Sequence, residues 1–451
     1  MTGTAHPPEQ GEPKGLGRNY WKLFTSSTFA NLGDGLMTVA VVWLASALTR
    51  DAAMISLVGL ASRLPWLLFS LPAGVITDRY DRRILVGSMD VIRVAVIAIF
   101  GIAVLLNQRG IPTPEALASG TAPPPANGGI LLGALVLTAL ILGFCEVVRD
   151  NSAQTLMASV VDKRHLERAN GRLWGAETAM NNFVGPPLGG VIVAIALAVP
   201  FFMNAGLLAL GAALIFALSG TYRPVHATGK IHWRREIGEG FGWLWRHRLL
   251  RTLALVLGAM NLLSSMAFIV LVLFAQEILG VFEGWQYGLV VTGTAVGAVI
   301  GSLVADRISA RLSPGTCLWL CVIVSAACFG VIALTSSAAI VWVTGVASGL
   351  TIVLWNVITV SLRQRIIPDR LLGRVNSVYR FFGWGTISLG TLLGGMIVTL
   401  AEPSFGREWA LRAPFLIAGA AHLILLAVVI PHLSTARIRA AEENAEKDTT
   451  T

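Results

Sequence analysis

The sequence predicts an all-α integral membrane protein with twelve transmembrane helices in two pseudo-symmetric six-helix bundles. Three observations lead there: recurrent apolar runs, basic residues gathered in alternate loops, and short motifs that occur twice in the same order. Of 451 residues, 55% are hydrophobic and 13% charged, and the mean hydropathy is +0.70. A soluble domain carries about 25% charged residues. Runs of about 20 apolar residues, each able to cross a hydrocarbon core of roughly 30 Å, recur along nearly the whole length. They are read at 23–48, 53–76, 84–106, 130–157, 170–193 and 199–219, then at 252–276, 285–305, 315–336, 338–362, 372–399 and 413–432.

The net charge of +9 falls almost entirely on one set of loops. These hold Lys14, Arg18 and Lys22, then Arg79, Arg82 and Arg83, then Lys163, Arg164, Arg168 and Arg172. Arg234, Arg235, Arg246, Arg248 and Arg251 follow, then Arg307 and Arg311, Arg363, Arg365, Arg370 and Arg374, and finally Arg437 and Arg439. The opposite loops offer little beyond Arg50, Arg109, Arg407 and Arg412. By the positive-inside rule both termini are expected to be cytoplasmic, in a bacterial-type inner (plasma) membrane, which requires an even number of spans. Charge so distributed points to a lipid bilayer as partner and not to nucleic acid. The first twenty residues are polar, so no cleavable signal peptide is expected. Cys145, Cys317, Cys321 and Cys328 lie inside apolar segments, and neither a disulfide framework nor a metal site is expected.

The expected organisation is an N-terminal tail at 1–22, a six-helix bundle at 23–219, a linker at 220–251, a second bundle at 252–432 and a C-terminal tail at 433–451. Within the linker, Ile237, Phe241, Leu244 and Trp245 recur at helical spacing among basic residues, as in an amphipathic helix at the membrane interface. The Pro/Gly/Ala-rich segment 107–129 reads as a flexible external spacer. The repeat is carried by three matched pairs. Gly74-Val-Ile-Thr-Asp78-Arg79 answers Ser302-Leu-Val-Ala-Asp306-Arg307, and Arg168-Ala-Asn170-Gly answers Arg374-Val-Asn376-Ser. Gly185-Pro-Pro-Leu-Gly189-Gly190 answers Gly390-Thr-Leu-Leu-Gly394-Gly395.

These residues resemble the major facilitator superfamily, over roughly residues 20 to 432. GVITDRYDRR at 74–83 is similar to that family's loop motif Gly-x-x-x-Asp-Arg-x-Gly-Arg-Arg/Lys. It keeps Gly74, Asp78, Arg79, Arg82 and Arg83 and has Asp81 where the second glycine usually stands. The resemblance implies a gate in which Asp78 caps or pairs with a helix of the other half when the cytoplasmic side is closed, with Arg79 beside it and Asp306 and Arg307 as the repeat of that gating motif. GPPLGG, with Gly185, Pro186, Gly189 and Gly190, resembles the motif associated with proton-driven exporters. SSTFANLGDGL in span 1, with the ERANG and GRVNS loops and EGFGWL, looks like the branch containing enterobactin exporters and macrolide-type efflux proteins.

An ionisable group inside a membrane costs at least a few kcal/mol, so each calls for a reason. The first half carries Asp34, Arg63, Asp90, Arg93, Glu146, Arg149, Asp150 and Glu177, while the second has little that is deep apart from Arg380. Asp34 lies about eleven residues into span 1, or roughly 16 Å at the helical rise, and Arg63 lies at a similar height in span 2. They are expected to meet near the midplane. Asp34 would then bind a proton with Arg63 as its partner; the alternative is a static pair that fixes packing. Glu146 and Glu177 are further proton-site candidates. Asp90 and Arg93 stand at i, i+3, and Arg149 and Asp150 share a helix face with Glu146, as in a structural charge network. Asn31, Asn181, Asn182, Asn261, Trp355, Asn356, Arg380 and Trp384 are candidates for lining a substrate cavity.

No G-x-x-x-x-G-K-[ST] sequence is present, which disfavours an ATP-driven pump. The histidines show neither metal-ligand spacing nor a nucleophile–base pair, which disfavours an intramembrane enzyme. The expectation is a secondary active transporter, a proton-coupled antiporter exporting amphipathic drugs or siderophores by alternating access. It would use protons and a small-molecule substrate as partners, the proton gradient in place of any cofactor, and a monomeric state. A proton-coupled importer of a small metabolite, a lipid flippase and a transporter-like sensor are the alternatives.

Overall fold

The structure, a computed structural model, describes residues 16–77, 79–223 and 233–450. No strand occurs among them. The first half contains α1 (Arg18–Leu48), α2 (Ala52–Thr77), α3 (Arg82–Asn107), the short α4 (Pro114–Ala118), α5 (Gly128–Val160), α6 (Leu166–Thr178), α7 (Gly185–Ile195) and α8 (Val199–Phe216). A π-helical stretch at Ala179–Val184 joins α6 to α7, so the two form one crossing. The second half contains α9 (Trp233–Arg246), α10 (Arg248–Glu277), α11 (Gly284–Arg311), α12 (Pro314–Leu334), α13 (Ala338–Ile366), α14 (Asp369–His432) and α15 (Thr435–Thr450).

At 64 residues, α14 is far longer than a bilayer requires, and its backbone leaves helical geometry at Gly406 (φ 75°, ψ 164°). That φ is left-handed, which a residue with a Cβ rarely adopts. Gly406 therefore divides α14 into two crossings, at 369–405 and 407–432, and brings the total to twelve. With twelve crossings, the start of the first at Arg18 and the end of the last at His432 lie on one face, the near face; the other is the far face.

The halves are joined unevenly. One apolar core straddles both on the far side, combining Trp43, Leu44 and Phe201 with Leu271, Phe274 and Tyr287. Towards the near face the cores are separate: Tyr20, Val86, Leu156 and Ile215 in the first half, and Leu250, Cys321, Leu362 and Val375 in the second. The repeated glycine motifs make the far-side junction close. A Cβ on Gly185 or Gly189 would strike Gly35 or Leu36 of α1, and a Cβ on Gly190 would strike Gly284 of α11, in the other half. The second copy repeats this: Gly390 and Gly394 abut Leu262 and Met266 of α10, and Gly395 abuts Ala52 and Ser56 of α2. Each motif thus presents small residues to the first helix of its own half and to a helix of the other, so backbones approach closely.

The segment 107–129 is not an unstructured spacer. Thr113 caps α4 through Ala116 N at 3.3 Å, Pro114 and Leu117 are buried, and Asn127 Nδ2 donates to Asn107 Oδ1 at 3.1 Å to close the base. Pro at the first helical position and a Thr cap supply the local reason. The interfacial helix expected in the linker is α9, where Leu244 is buried and Phe241 stacks on Trp245 at 5.2 Å and on Phe382 of α14 at 6.4 Å. The Ile237 side chain and residues 224–232 lie outside the described residues.

Candidate functional site: a charge network at mid-depth

Asp34 stands near the middle of α1 between two glycines that admit close neighbours. A Cβ on Gly33 would collide with the Asn204 side chain of α8, and one on Gly35 would come within 2.6 Å of the Asn181 carbonyl. Clamped in this way, α1 presents Asp34 to Arg93 of α3, with which it forms an ion pair. Arg93 Nη1 lies 3.8 Å from Asp90 Oδ1, and the same oxygen accepts from Arg149 Nε of α5 at 2.8 Å. Arg149 Nη1 in turn meets Asp150 Oδ1 at 3.2 Å. The result is an alternating chain, Asp34–Arg93–Asp90–Arg149–Asp150, that ties three crossings together.

Its two ends differ from its middle. Arg93, Asp90 and Arg149 are 2%, 0% and 1% exposed, whereas Asp34 and Asp150 keep 23% and 37% of their side chains accessible. A buried charge costs several kcal/mol of desolvation unless opposite charges surround it, and alternation supplies them. The pairing is incomplete, because three aspartates face two arginines. The surplus negative charge belongs to the accessible ends, where a proton or a cation can reach it.

The structure corrects the expected pairing. Arg63 of α2 is exposed and forms no ion pair among the described residues. Arg93 takes Asp34 because it is buried and the aspartate of its own helix, Asp90, is held by Arg149. Glu146 and Glu177 are half-buried and have no ion-pair partner among the described residues.

The sequence profile of the Major Facilitator Superfamily matches residues 23–384. The chain belongs to that superfamily. Among curated relatives, the multidrug efflux pump Tap of Mycobacterium tuberculosis is 26% identical over 421 residues, covering 91% of this chain and 93% of that protein. The Tap pump of Mycolicibacterium fortuitum is 25% identical, covering 91% and 95%. The fold is shared with a bacterial homologue of the human lysosomal transporter Spinster (TM-score 0.66, 14% identity, 95% and 97% covered). It is shared too with the nucleoside transporter NupG (TM-score 0.64, 12% identity, 93% and 100% covered).

This major facilitator superfamily transporter explains its own departure from the family's loop motif. Asp81, in place of glycine, caps α3 by accepting from Arg83 N at 2.9 Å and Ile84 N at 3.4 Å, and its other oxygen accepts from Tyr222 N at 3.3 Å. Arg82 donates to Ser159 Oγ and Arg83 to the Leu218 carbonyl, both at 2.9 Å, so the motif binds α3 to the ends of α5 and α8. Asp78 lies outside the described residues, as does the Gly74 position's immediate environment. Arg79, Asp306 and Arg307 are exposed on the near face.

The cavity candidates divide. Trp384 stacks on Trp66 at 5.6 Å across the two halves and remains 42% exposed. Asn181 Nδ2 donates to Asn31 Oδ1 at 3.3 Å, linking the π-helical stretch to α1. Asn182 and Asn356 are exposed and donate to carbonyls of their own helices. Asn261 is spent on helix packing, donating to the Gly383 carbonyl at 2.9 Å. Trp355 is a correction: it is 3% exposed and packs into the second half's near-side core instead of lining open space. The Arg380 side chain lies outside the described residues. Sequence reasoning missed Gln276 and Glu277 at the end of α10, which join Arg50 and Arg407 across the far face. A carboxylate closing an apolar run reads as a solvated helix end, and only the scarcity of basic residues on that face marked Arg50 and Arg407 as unusual.

Proposed function

We propose that this transporter exports amphipathic small molecules in exchange for protons, from a bacterial-type cytoplasmic membrane with both termini in the cytoplasm. The observation that carries the reading is the Asp34–Arg93 pair: an accessible carboxylate at mid-depth, on a chain of charges with one negative charge in excess. Protonating Asp34 neutralises the excess and frees Arg93, whose remaining anion is Asp90 at 3.8 Å. A proton therefore changes which helices are tied to one another, and a ligand of that kind shifts the balance between two arrangements of the halves. Glu146 and Glu177 are reserves for the same proton. The near-face motif, Gly74, Asp78 and Arg79 with Asp306 and Arg307, would hold the near side shut in the opposite state.

The efflux direction is supported by the Tap relatives and by Gly185, Pro186, Gly189 and Gly190. The reading makes the protein a carrier with no cofactor, acting as a monomer. The test is proton movement in inside-out vesicles energised to an acid interior, with a panel of amphipathic drugs and siderophores, for wild type and Asp34→Asn. Discharge of the gradient by a compound in wild type and not in the variant is expected. Transport of a labelled compound with no proton movement in either protein would replace proton exchange by uniport or another coupling ion. Uptake driven by the gradient in whole cells would reverse the direction.

A further inference from the structure

The far face carries a polar clasp between the halves that the charge network does not include. Arg50, in the turn between α1 and α2, pairs with Glu277 at the end of α10; its Nε lies 3.1 Å from Glu277 Oε1. Glu277 is held from the other side by Arg407, with Nε 2.8 Å from Oε2 and Nη2 3.0 Å from Oε1. Arg407 Nη2 also donates to the Arg50 carbonyl at 2.8 Å, so one guanidinium touches both halves. Below the ion pairs, Gln276 is fully buried, accepts from Arg50 at 2.5 Å and donates to Ser46 Oγ at 2.9 Å. The next residue, Asp51, accepts from Thr399 Oγ1 of α14 at 3.0 Å. The Arg50-Asp51 turn of the first half is thus keyed into two elements of the second.

This clasp is reachable from the far side. A cavity of about 460 Å³ lies over it, with Arg50, Glu277, Glu402 and Arg407 in its walls and Leu117 of α4 at its edge. Glu277 is 13% and Arg50 17% exposed. The glycine seam at Gly395 abuts Ala52, next to the Arg50-Asp51 turn, and like the seam at Gly190 it brings backbones together without choosing one state, because small residues supply closeness and no direction. Charged groups in fork geometry supply the direction.

We infer that Arg50, Glu277, Gln276 and Arg407 form the far-side gate of this transporter, a clasp that must separate for the far face to open. The inference rests on the alternating-access reading above. A transporter that moves one bundle against the other has to break every inter-half bond on the opening side; here these include Arg50 to Glu277 and Gln276, Gln276 to Ser46, and Arg407 to the Arg50 carbonyl, while Arg407 to Glu277 stays within the second half and holds that carboxylate in place. Their separation exposes both partners to water at the mouth of the cavity, which replaces the lost bonds in part.

The test uses hydrogen exchange on the full-length protein in lipid nanodiscs, with no substrate and no proton gradient. Glu277→Gln keeps the side-chain volume and removes the charge; Arg407→Lys keeps the charge and removes the fork. In both, exchange should rise about tenfold or more at residues 43–56 and 270–290, with no rise at 245–255 and 360–370. Exchange at wild-type level in a monodisperse variant, or an equal rise on both faces, would overturn the gate. The Arg407→Lys protein keeps the question open to decision if Glu277→Gln does not fold. The readout needs no transport, so a failed vesicle assay and a failed gate are distinguishable.

Discussion

In the first half, α3 and α5 bury Asp90, Arg93 and Arg149. The corresponding third and fourth crossings of the second half, α12 and α13, bury Cys317, Cys321, Cys328 and Trp355. The glycine motifs show no such divergence: Gly190 and Gly395 occupy matching places and abut matching helices. The difference teaches that the repeat is kept where both halves must meet and is released where each half has its own task. Close approach across the junction is a demand on both sides, since two bundles that rock together need both seams. The mid-depth charge network, by contrast, has no matching copy of buried charges on α12 and α13 among the described residues.

The comparison breaks most severely if Asp34 is dispensable. Asp34→Asn should abolish substrate-driven proton movement, down to the level of empty vesicles, while Asn261→Ala in the second half retains most of it. Next in size is the stability of the buried core of the network. Arg149→Ala strands Asp90 and should cost about 3–5 kcal/mol, read as a lowered unfolding midpoint in detergent. Trp355→Phe, a conservative change in the matching helix, should cost about 1 kcal/mol. The seams should respond alike, because they are alike. Gly190→Val and Gly395→Val each place a side chain into the other half, and cross-linking of far-face cysteine pairs should fall by a similar factor in both. A strong effect in one alone would show that the halves do not share the junction equally. The smallest effect belongs to Asp81→Ala, which removes a helix cap with no counterpart glycine left in its place. It should destabilise by about 1 kcal/mol and leave transport measurable.

The crossings were legible because each is a self-contained statement of composition: a run of apolar residues spans a membrane whatever its neighbours do. The starts and ends were less so. Crossing 1 begins at Arg18 and not at residue 23, since the Tyr20 hydroxyl donates to the Ala169 carbonyl at 3.1 Å and Lys22 donates to the Ala217 carbonyl. Those bonds give polar residues a helical turn that their own hydropathy does not announce. The same limit explains the misassigned partner of Asp34. Its height along α1 follows from the rise per residue, and so does that of Arg63. The direction a side chain points depends on which helices flank it, and that is set by packing. Glu277 was hidden for the same reason, with a partner at Arg50 more than two hundred positions earlier. The three matched motifs, by contrast, carried spatial information into the sequence. Of these, the glycine pair was the most telling, because each copy fits against two helices at once.

The depth of Asp34 has an electrical consequence. It stands sixteen residues after the start of α1 and fourteen before its end, so a charge there lies about halfway through the field of a polarised membrane. An elementary charge crossing the whole field is worth about 2.3 kcal/mol per 100 mV, and half of it about 1 kcal/mol. Glu277, the last residue of α10, sits near the end of that field and is almost indifferent to it. A proton passing between the far side and Asp34 would therefore cross about half of that field, whereas one reaching Glu277 from the far side would cross almost none of it.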